Sequence, residues 1–400
     1  MKIVFTGGGT GGHFYPIIAV AQKVNQIIDR ENIIGAKLYY FSSDPYDKEL
    51  LFENRLIYEE VKTGKLRTYF SFKNFVDIFK IFFGTINAIF KIFSIYPDVI
   101  FGKGGYDSFP VLFAARILNI PIIIHESDSA PGRVNKWAGS FAKKIAISFP
   151  ETAQCFIKNN DAKDNKQSPS LNKIACTGQP MRTGLEYPEN HEQSFEYFKL
   201  ESDLPVILVL GGSLGAELIN NTVLDGLPRL LKNYQIIHQT GIKNFQSVTQ
   251  RAEVVINQNP DPSLTPQESI NYKSRYTPIP FLNLLKIKMA AGAATIIISR
   301  AGSSLFEFAA WGIPSILIPI TNSNDDHQRK NAFNYARAGA CSVIEEANLT
   351  ANILIAEIER ITNNKTSLEK MSKNAKAFYK PNAAQKIAQA LMDIALSHEN

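Results

Sequence analysis

Cysteine is scarce. Cys155, Cys176 and Cys341 lie far apart, with no CxxC pair and no histidine at metal-ligand spacing. That excludes a disulfide framework and a structural zinc as organising principles and points to a reducing compartment. An excess of one charge is lacking too: 43 Lys and Arg against 37 Asp and Glu leave +6 on 400 residues, well below the density of a nucleic-acid binder. The longest apolar run, Ile78 to Ile95, is broken by Lys80, Gly84, Asn87 and Lys91, so no spanning helix is expected there. Met1-Lys2 passes directly into Ile3-Val4-Phe5, too short for the apolar core of a secretory leader. No GxxxxGK[ST] occurs, which argues against Walker-type ATP hydrolysis. No DxD follows a strand either. Asp325-Asp326 lacks the spacer, and neither a held metal nor a bound cofactor is expected.

The apolar share is 45%, enough for sizeable cores, and the length suits two domains. Short apolar strands alternate with longer helical patterns, the signature of a parallel α/β sheet. Strands are expected over Lys2–Thr6, Lys37–Ser42, Asp98–Phe101, Pro121–His125 and Ile145–Phe149, with helices from about Tyr15 to Asp29 and over Phe109–Leu118. Polar, proline-bearing residues 158–173 read as a long surface loop, and Glu186 to Asp203 as a polar connection. At Leu204 the pattern restarts. Pro205–Leu210 is a strand, Gly211 to Gly215 a glycine loop and Ala216–Leu231 a helix, with further strands at Tyr234–Gln239, Thr295–Ser299 and Ser315–Ile320. Two doubly wound, Rossmann-like α/β domains facing a central cleft are the expected fold. The domains would be 1–183, completed by the C-terminal helix 383–397, and 184–382.

Glycines mark the strand-to-helix turns. Gly7-Gly8-Gly9-Thr10-Gly11-Gly12 fits GxGxxG, but the acid expected at the end of the second strand is missing, since Asp44 lies too far along and precedes Pro45. Anion binding at a helix N-terminus is therefore favoured over a nicotinamide dinucleotide. Gly104-Gly105-Tyr106, Gly211-Gly212-Ser213 and Ser299-Arg300-Ala301-Gly302 repeat the arrangement, the last with Glu307 one turn inside a helix at a depth suited to ribose hydroxyls. Together they imply two diphosphate-bearing ligands, one per half, bound beyond the carboxyl ends of the strands.

These motifs, with His13, His125-Glu126, Thr177-Gly178-Gln179-Pro180-Met181-Arg182 and Asp326-His327-Gln328, fall in the order seen in a known family. The chain resembles the MurG family of glycosyltransferases from residue 1 to beyond 340. The resemblance implies a GT-B fold and inverting transfer of N-acetylglucosamine from UDP-GlcNAc to lipid I, with the acceptor on the N-terminal half and the donor on the other. It implies His13 as the base, and Asp128, which stands where the family usually has Asn, is a carboxylate that competes for that role. Thr10, Gly11, Gly12, Arg182, Ser213, Glu307 and Gln328 would meet the UDP-sugar. Gly8, Gly9, Gly104, Gly105, Tyr106, Glu126 and Asn135 would stand on the acceptor side, Asn135 facing the cleft. Three departures from the family pattern are Asp128 for Asn, Leu214 for Gln and a 302–307 loop one residue short. Another GT-B enzyme (a glycolipid transferase or UDP-GlcNAc 2-epimerase) and a non-catalytic sugar-nucleotide binder are the alternatives.

Residues 62–96 add a separate feature. Six basic residues face one acid, Asp77, and eight of the 26 phenylalanines fall between Tyr69 and Tyr96. Lys73, Asp77, Lys80, Gly84, Asn87, Lys91 and Ser94 recur at helical spacing as one polar stripe beside a wide apolar face. One reading is a mostly buried helix pair with snorkelling lysines. The other is a patch that docks on the anionic inner leaflet, placing the protein at the cytoplasmic face of a bacterial membrane.

Overall fold

The computed structural model describes the chain apart from residues 65–71, 158–171, 212–215, 259–271, 322–325 and 398–400, and only the backbone of 72–76. The expectation for 158–173 falls almost wholly outside the described residues. Two compact units emerge: Met1–Thr183 with Lys380–Asn400, and Gly184–Tyr379. The chain thus re-enters the first unit at Lys380, before the final helix begins.

Among the described residues the first unit has seven strands: β1 (Lys2–Thr6), β2 (Lys37–Ser42), β3 (Leu56–Glu60), β4 (Val99–Gly102), β5 (Ile122–Glu126), β6 (Lys144–Ile147) and β7 (Ile174–Cys176). Every pairing is parallel, in the order β3-β2-β1-β4-β5-β6-β7. Its helices are α1 (Gly11–Arg30), α2 (Lys48–Glu53), α3 (Phe72–Ile95), α4 (Phe109–Ile117) and α5 (Arg133–Ala138). The second unit holds α6 (His191–Phe198), β8 (Val206–Leu210), α7 (Glu217–Asn233), β9 (Gln235–Gln239), α8 (Phe245–Gln258), β10 (Tyr276–Ile279), α9 (Leu284–Ala293), β11 (Ile296–Ser299), α10 (Leu305–Trp311), β12 (Ser315–Leu317), α11 (His327–Arg337), β13 (Cys341–Val343), α12 (Ala351–Thr362) and α13 (Lys365–Phe378). Its sheet runs β10-β9-β8-β11-β12-β13, again all parallel. Helix α14 (Ala383–Leu396) belongs to the first unit.

In each sheet the strand order reverses beside the first strand, between β1 and β4 and between β8 and β11. Doubly wound sheets bind ligands beyond the carboxyl ends of the strands at such a switch point. The four glycine loops follow these four strands.

Burial explains the apolar strands. Ile3 and Phe5 of β1 pack with Ile17, Ile18 and Val24 of α1 and with Ile387, Leu391 and Met392 of α14. Val4 faces the opposite layer with Ile100, Leu112 and Ile124. Both sheet faces are covered, as a parallel sheet requires, and α14 supplies part of the first unit's cover. Several elements depart from the sequence reading. Helix α1 starts at Gly11, four residues early, because the glycines themselves form its first turn. The polar connection 186–203 contains α6, capped by the Asn190 side chain on Glu192 N–H. Short strands β3, β10 and β13 were unmarked in the sequence; β3 is an edge strand ending in Glu59-Glu60.

Helix α3 is turned otherwise than its polar stripe suggests. Asp77, Gly84, Ala88 and Ile92 are buried, while Phe82, Phe83, Phe90 and Phe93 are 59%, 64%, 70% and 64% exposed. Its polar groups divide: Lys80, Asn87 and Ser94 are exposed, while Lys91 pairs with Glu59 at 2.6 Å and Lys80 approaches Asp77 of the same helix at 3.7 Å. Lys62 lies 3.8 Å from Glu60, so much of the expected basic excess is locally matched. Asp77–Ile95, with mean hydropathy 1.6, is nevertheless long and apolar enough to cross a membrane by length and composition alone, contrary to the sequence expectation. Its buried face packs into the unit, however, with Ala88 and Ile92 joining Val61 and Val111. A Cβ at Gly84 would run into the Lys62 carbonyl oxygen. Gly84→Ala is expected to destabilise the first unit by ~1–3 kcal/mol through overpacking, read as a lower thermal midpoint; an unchanged midpoint would refute this seating of α3.

Candidate active site

Three loops of the first unit converge beyond the strand ends. The β1 loop enters α1 with Thr10 as an extended N-cap whose hydroxyl does not cap the helix. Thr10 Oγ1 instead lies 3.0 Å from His13 Nδ1. No acid occupies the first turn of α1, so the positive end of its dipole is not offset there. The β4 loop packs on this one. A Cβ on Gly9 would stand 3.1 Å from the Tyr106 ring, and one on Gly105 would stand 3.4 Å from His13 Cε1. Gly104 takes φ +89° and lies against Asn135, whose Nδ2 would be 2.7 Å from an added Cβ. Both the left-handed backbone and the close approach require glycine at this position.

Beneath these loops lies a buried polar cluster. Glu126 Oε1 accepts the Asp128 N–H at 3.0 Å; its Oε2 accepts from Gly132 N–H at 3.0 Å and Asn135 Nδ2 at 2.9 Å. Burial, then the neighbouring Asp128 charge, raises the Glu126 carboxyl above its ordinary value, against the pull of Lys103 and these hydrogen bonds. Asn135 is buried and also gives Nδ2–H to the His125 carbonyl. Asp128 is half-buried, its carbonyl accepting from Thr152 Oγ1 at 3.0 Å. His125 is wholly buried and pulled well below its usual value, first by burial and then by the Lys103 charge; its Nε2 lies 3.0 Å from the Gly178 carbonyl.

The structure therefore brings Gly8, Gly9, Thr10, Gly11, Gly12, His13, Gly104, Gly105, Tyr106, Glu126, Asp128 and Asn135 to one edge of the first sheet. Arg182, at the end of the same unit, stacks over the Tyr15 ring of α1 at 4.1 Å, and its Nε is buried without a hydrogen-bond partner. Sequence reasoning passed over Lys103, Asp107, Ser127 and Gln179. A lysine inside Phe101-Gly102-Lys103-Gly104 was the available signal, because an apolar strand end rarely admits one.

The second unit has its own edge. Ser299 Oγ donates to the Leu210 carbonyl at 2.9 Å, joining the ends of β11 and β8. Arg300 pairs with Glu346 at 2.6 Å and donates to the Ile318 carbonyl. Glu346 Oε2 accepts both the N–H and Oγ1–H of Thr321 at 2.8 Å. Burial pushes the Glu346 carboxyl up, but these bonds and Arg300 outweigh it and hold the group below its ordinary value. Glu307 sits half-buried in the first turn of α10. Gln328 Oε1 accepts the Ile320 N–H at 3.2 Å; Glu307 and Gln328 stand in the first turns of the successive helices that follow β11 and β12. Ser213 and Leu214 lie outside the described residues. Asp326 caps α11 in a left-handed conformation, and no His/Cys/Asp/Glu group suited to a metal occurs among the described residues.

Comparison with known proteins matches this architecture. Residues 3–147 match the glycosyltransferase family 28 N-terminal domain and 206–389 its C-terminal domain. A Treponema denticola protein named UDP-N-acetylglucosamine–N-acetylmuramyl-(pentapeptide) pyrophosphoryl-undecaprenol N-acetylglucosamine transferase is 32% identical, covering 88% of this chain and 86% of its own. A Bacillus thuringiensis protein of the same name, numbered 2, is 34% identical over 92% and 95%. Among solved structures, MurG of Acinetobacter baumannii aligns with a TM-score of 0.69 at 24% identity, covering 98% and 99%. A putative UDP-N-acetylglucosamine 2-epimerase of Listeria monocytogenes reaches 0.65 at 14%, covering 98% and 96%. These structures speak for the fold alone. The two family 28 domain matches, carried on two Rossmann-like units, define a glycosyltransferase of the GT-B type. By its relatives, the chain belongs to the MurG family.

Asp107 is a stability test of the acceptor-edge geometry. It is buried, its Oδ1 accepts from Ser43 Oγ at 2.7 Å, and its Oδ2 has no hydrogen-bond partner. Burial raises its carboxyl, opposed chiefly by the hydroxyl of Ser43. A raised native value means the contribution to stability is full while the acid is protonated and is lost as pH rises through that value. Asp107→Asn is therefore expected to raise the thermal midpoint at pH 7, each kcal/mol showing as about 2–4 °C. The gain should vanish below the ordinary carboxylate range. A variant less stable than wild type at pH 7 would contradict the assignment.

Proposed function

We propose that the chain transfers N-acetylglucosamine from UDP-GlcNAc to lipid I, with inversion at the anomeric carbon, yielding lipid II for peptidoglycan synthesis. One observation carries the reading: each unit has a glycine loop after both strands of its switch point, which suits one diphosphate-bearing ligand per unit. The names of the relatives supply the donor and the undecaprenyl-linked acceptor. The first unit takes lipid I and the second takes the UDP-sugar.

In the reaction the acceptor hydroxyl attacks the anomeric carbon, its proton passes to a base, and the bond to UDP breaks with both electrons leaving on the diphosphate. His13 is the first candidate. With Nδ1–H donated to Thr10 Oγ1, the proton-accepting lone pair lies on Nε2. Asp128 is the second candidate. Arg182, Ser213 and the helix N-termini meet the charge on departing UDP. Glu307 holds the ribose and Gln328 the sugar hydroxyls. This reading assigns no bound cofactor or metal. The test is transfer of labelled GlcNAc from UDP-GlcNAc to a short-chain lipid I analogue. A β-linked product supports it. UDP-GlcNAc binding without product moves the reading to another acceptor, and epimerised UDP-GlcNAc replaces it. His13→Ala is expected to lower kcat about 10²–10⁴-fold with UDP-GlcNAc affinity retained; if Asp128→Asn does this instead, Asp128 is the base.

The exposed aromatic face of α3 suits docking at the cytoplasmic surface of the membrane that holds the acceptor. Because Lys62, Lys80 and Lys91 lie near acids, apolar insertion contributes more to this docking than headgroup charge. Replacing Phe82, Phe83 and Phe90 with Ser together is expected to weaken sedimentation with phosphatidylglycerol-containing vesicles at least about tenfold. Undiminished binding would reject this face as the dock.

A further inference from the structure

Lys103 is 2% exposed, a charged side chain held inside the switch point of the first sheet. Its backbone N–H continues the ladder to the Thr6 carbonyl at 2.8 Å, and its Cβ would stand 2.9 Å from one added to Gly7. Its Nζ donates to Ser127 Oγ at 2.6 Å, and Ser127 passes its own hydrogen to Gln179 Oε1 at 2.6 Å. Ser148 Oγ also donates to Gln179 Oε1, at 3.2 Å. One ammonium thus ties the segment after β4 to the segments after β5 and β7, directly under the glycine loops.

Removing an ammonium from water costs several kcal/mol unless opposite charge and hydrogen bonds compensate. Burial lowers the Lys103 ammonium from its ordinary value, opposed by Glu126, at the end of β5, and by Asp128 just beyond it. His125, from β5 itself, is held neutral by burial and by Lys103. The neighbouring segments at Gly7, Ser148 and Gln179 bring no charge. Glu126 in turn accepts the Asp128 and Gly132 N–H groups, so the loop after β5 is fixed at both Glu126 and Ser127.

We propose that Lys103 is a positioning residue of the acceptor site. Its Nζ ties the three loops together through Ser127 and Gln179, so that the 126–132 loop holds the shape that presents Asp128 and opens α5. The proposal rests on the assignment of lipid I to the first unit and UDP-GlcNAc to the second. Without Lys103 the link from the segment after β4 to Ser127 is lost, the 126–132 loop loosens, and lipid I binding weakens while the donor unit is untouched.

The test is steady-state transfer by the full chain with a soluble lipid I analogue at about pH 7. For Lys103→Met, the acceptor KM is expected to rise about tenfold or more, with the donor KM unchanged within about twofold and the thermal midpoint of the donor unit within about 2 °C. A general loss of packing predicts no such split between the two substrates. An acceptor KM that is unchanged, or a donor KM raised as much, overturns the proposal. Should that variant not fold, Ser127→Ala keeps the charge and cuts the bridge to Gln179. The acceptor KM is then expected to rise several-fold, and a wild-type KM overturns the proposal. Failure of wild type to transfer at all, with UDP-GlcNAc bound, would count against the functional reading and not against the clamp.

Discussion

A parallel sheet sends every strand out at the same edge, and where its order reverses, two neighbouring loops diverge and leave room for a ligand. Everything specific to this molecule follows from applying that constraint twice. The turns after β1 and β4 must pass close to one another, so they use glycine, and a side chain at Gly9, Gly104 or Gly105 would meet the neighbouring loop. The helix starts that follow then present backbone N–H groups to whatever occupies the opening.

The two edges stabilise their loops by different chemistry. In the second unit, Glu346 joins Arg300 to Thr321 through a partly exposed ion pair and two hydroxyl and amide bonds, which is effective because the carboxylate remains ionised at neutral pH. In the first unit, the equivalent work falls to groups fully removed from water: Lys103, His125, Glu126 and Asn135. Buried polar networks are costly when incomplete and rigid when satisfied. Such rigidity suits an edge that must hold a diphosphate and a reacting hydroxyl in register.

Much of this was legible in the sequence, for identifiable reasons. Glycine clusters after apolar strands carry their own backbone logic, so the four loops and the repeat of the pattern near residue 204 could be placed without coordinates. The role of Asn135 was not legible. The family resemblance implied a cleft-facing amide; the structure shows the side chain buried and bonded to Glu126 and the His125 carbonyl. Helix α3 shows a second limit. Periodicity identified the helix, but its polar stripe is split: Lys80, Asn87 and Ser94 are exposed, while Asp77 and Gly84 are buried and Lys91 reaches Glu59 on β3, a strand the sequence did not reveal. Periodicity reports that two faces differ; long-range partners decide which one meets solvent. Lys103 was missed for a related reason, since the groups that compensate it come from loops 24 and 76 residues away.

The proposed reaction requires one diphosphate-bearing ligand at each switch point. The most direct measurement is amide hydrogen exchange with each ligand added separately. UDP is predicted to protect residues 299–307 and 318–328, and a diphosphate-linked acceptor analogue residues 103–107 and 126–133. Protection of 103–107 and 126–133 by UDP, or of 299–307 and 318–328 by the acceptor analogue, would contradict it.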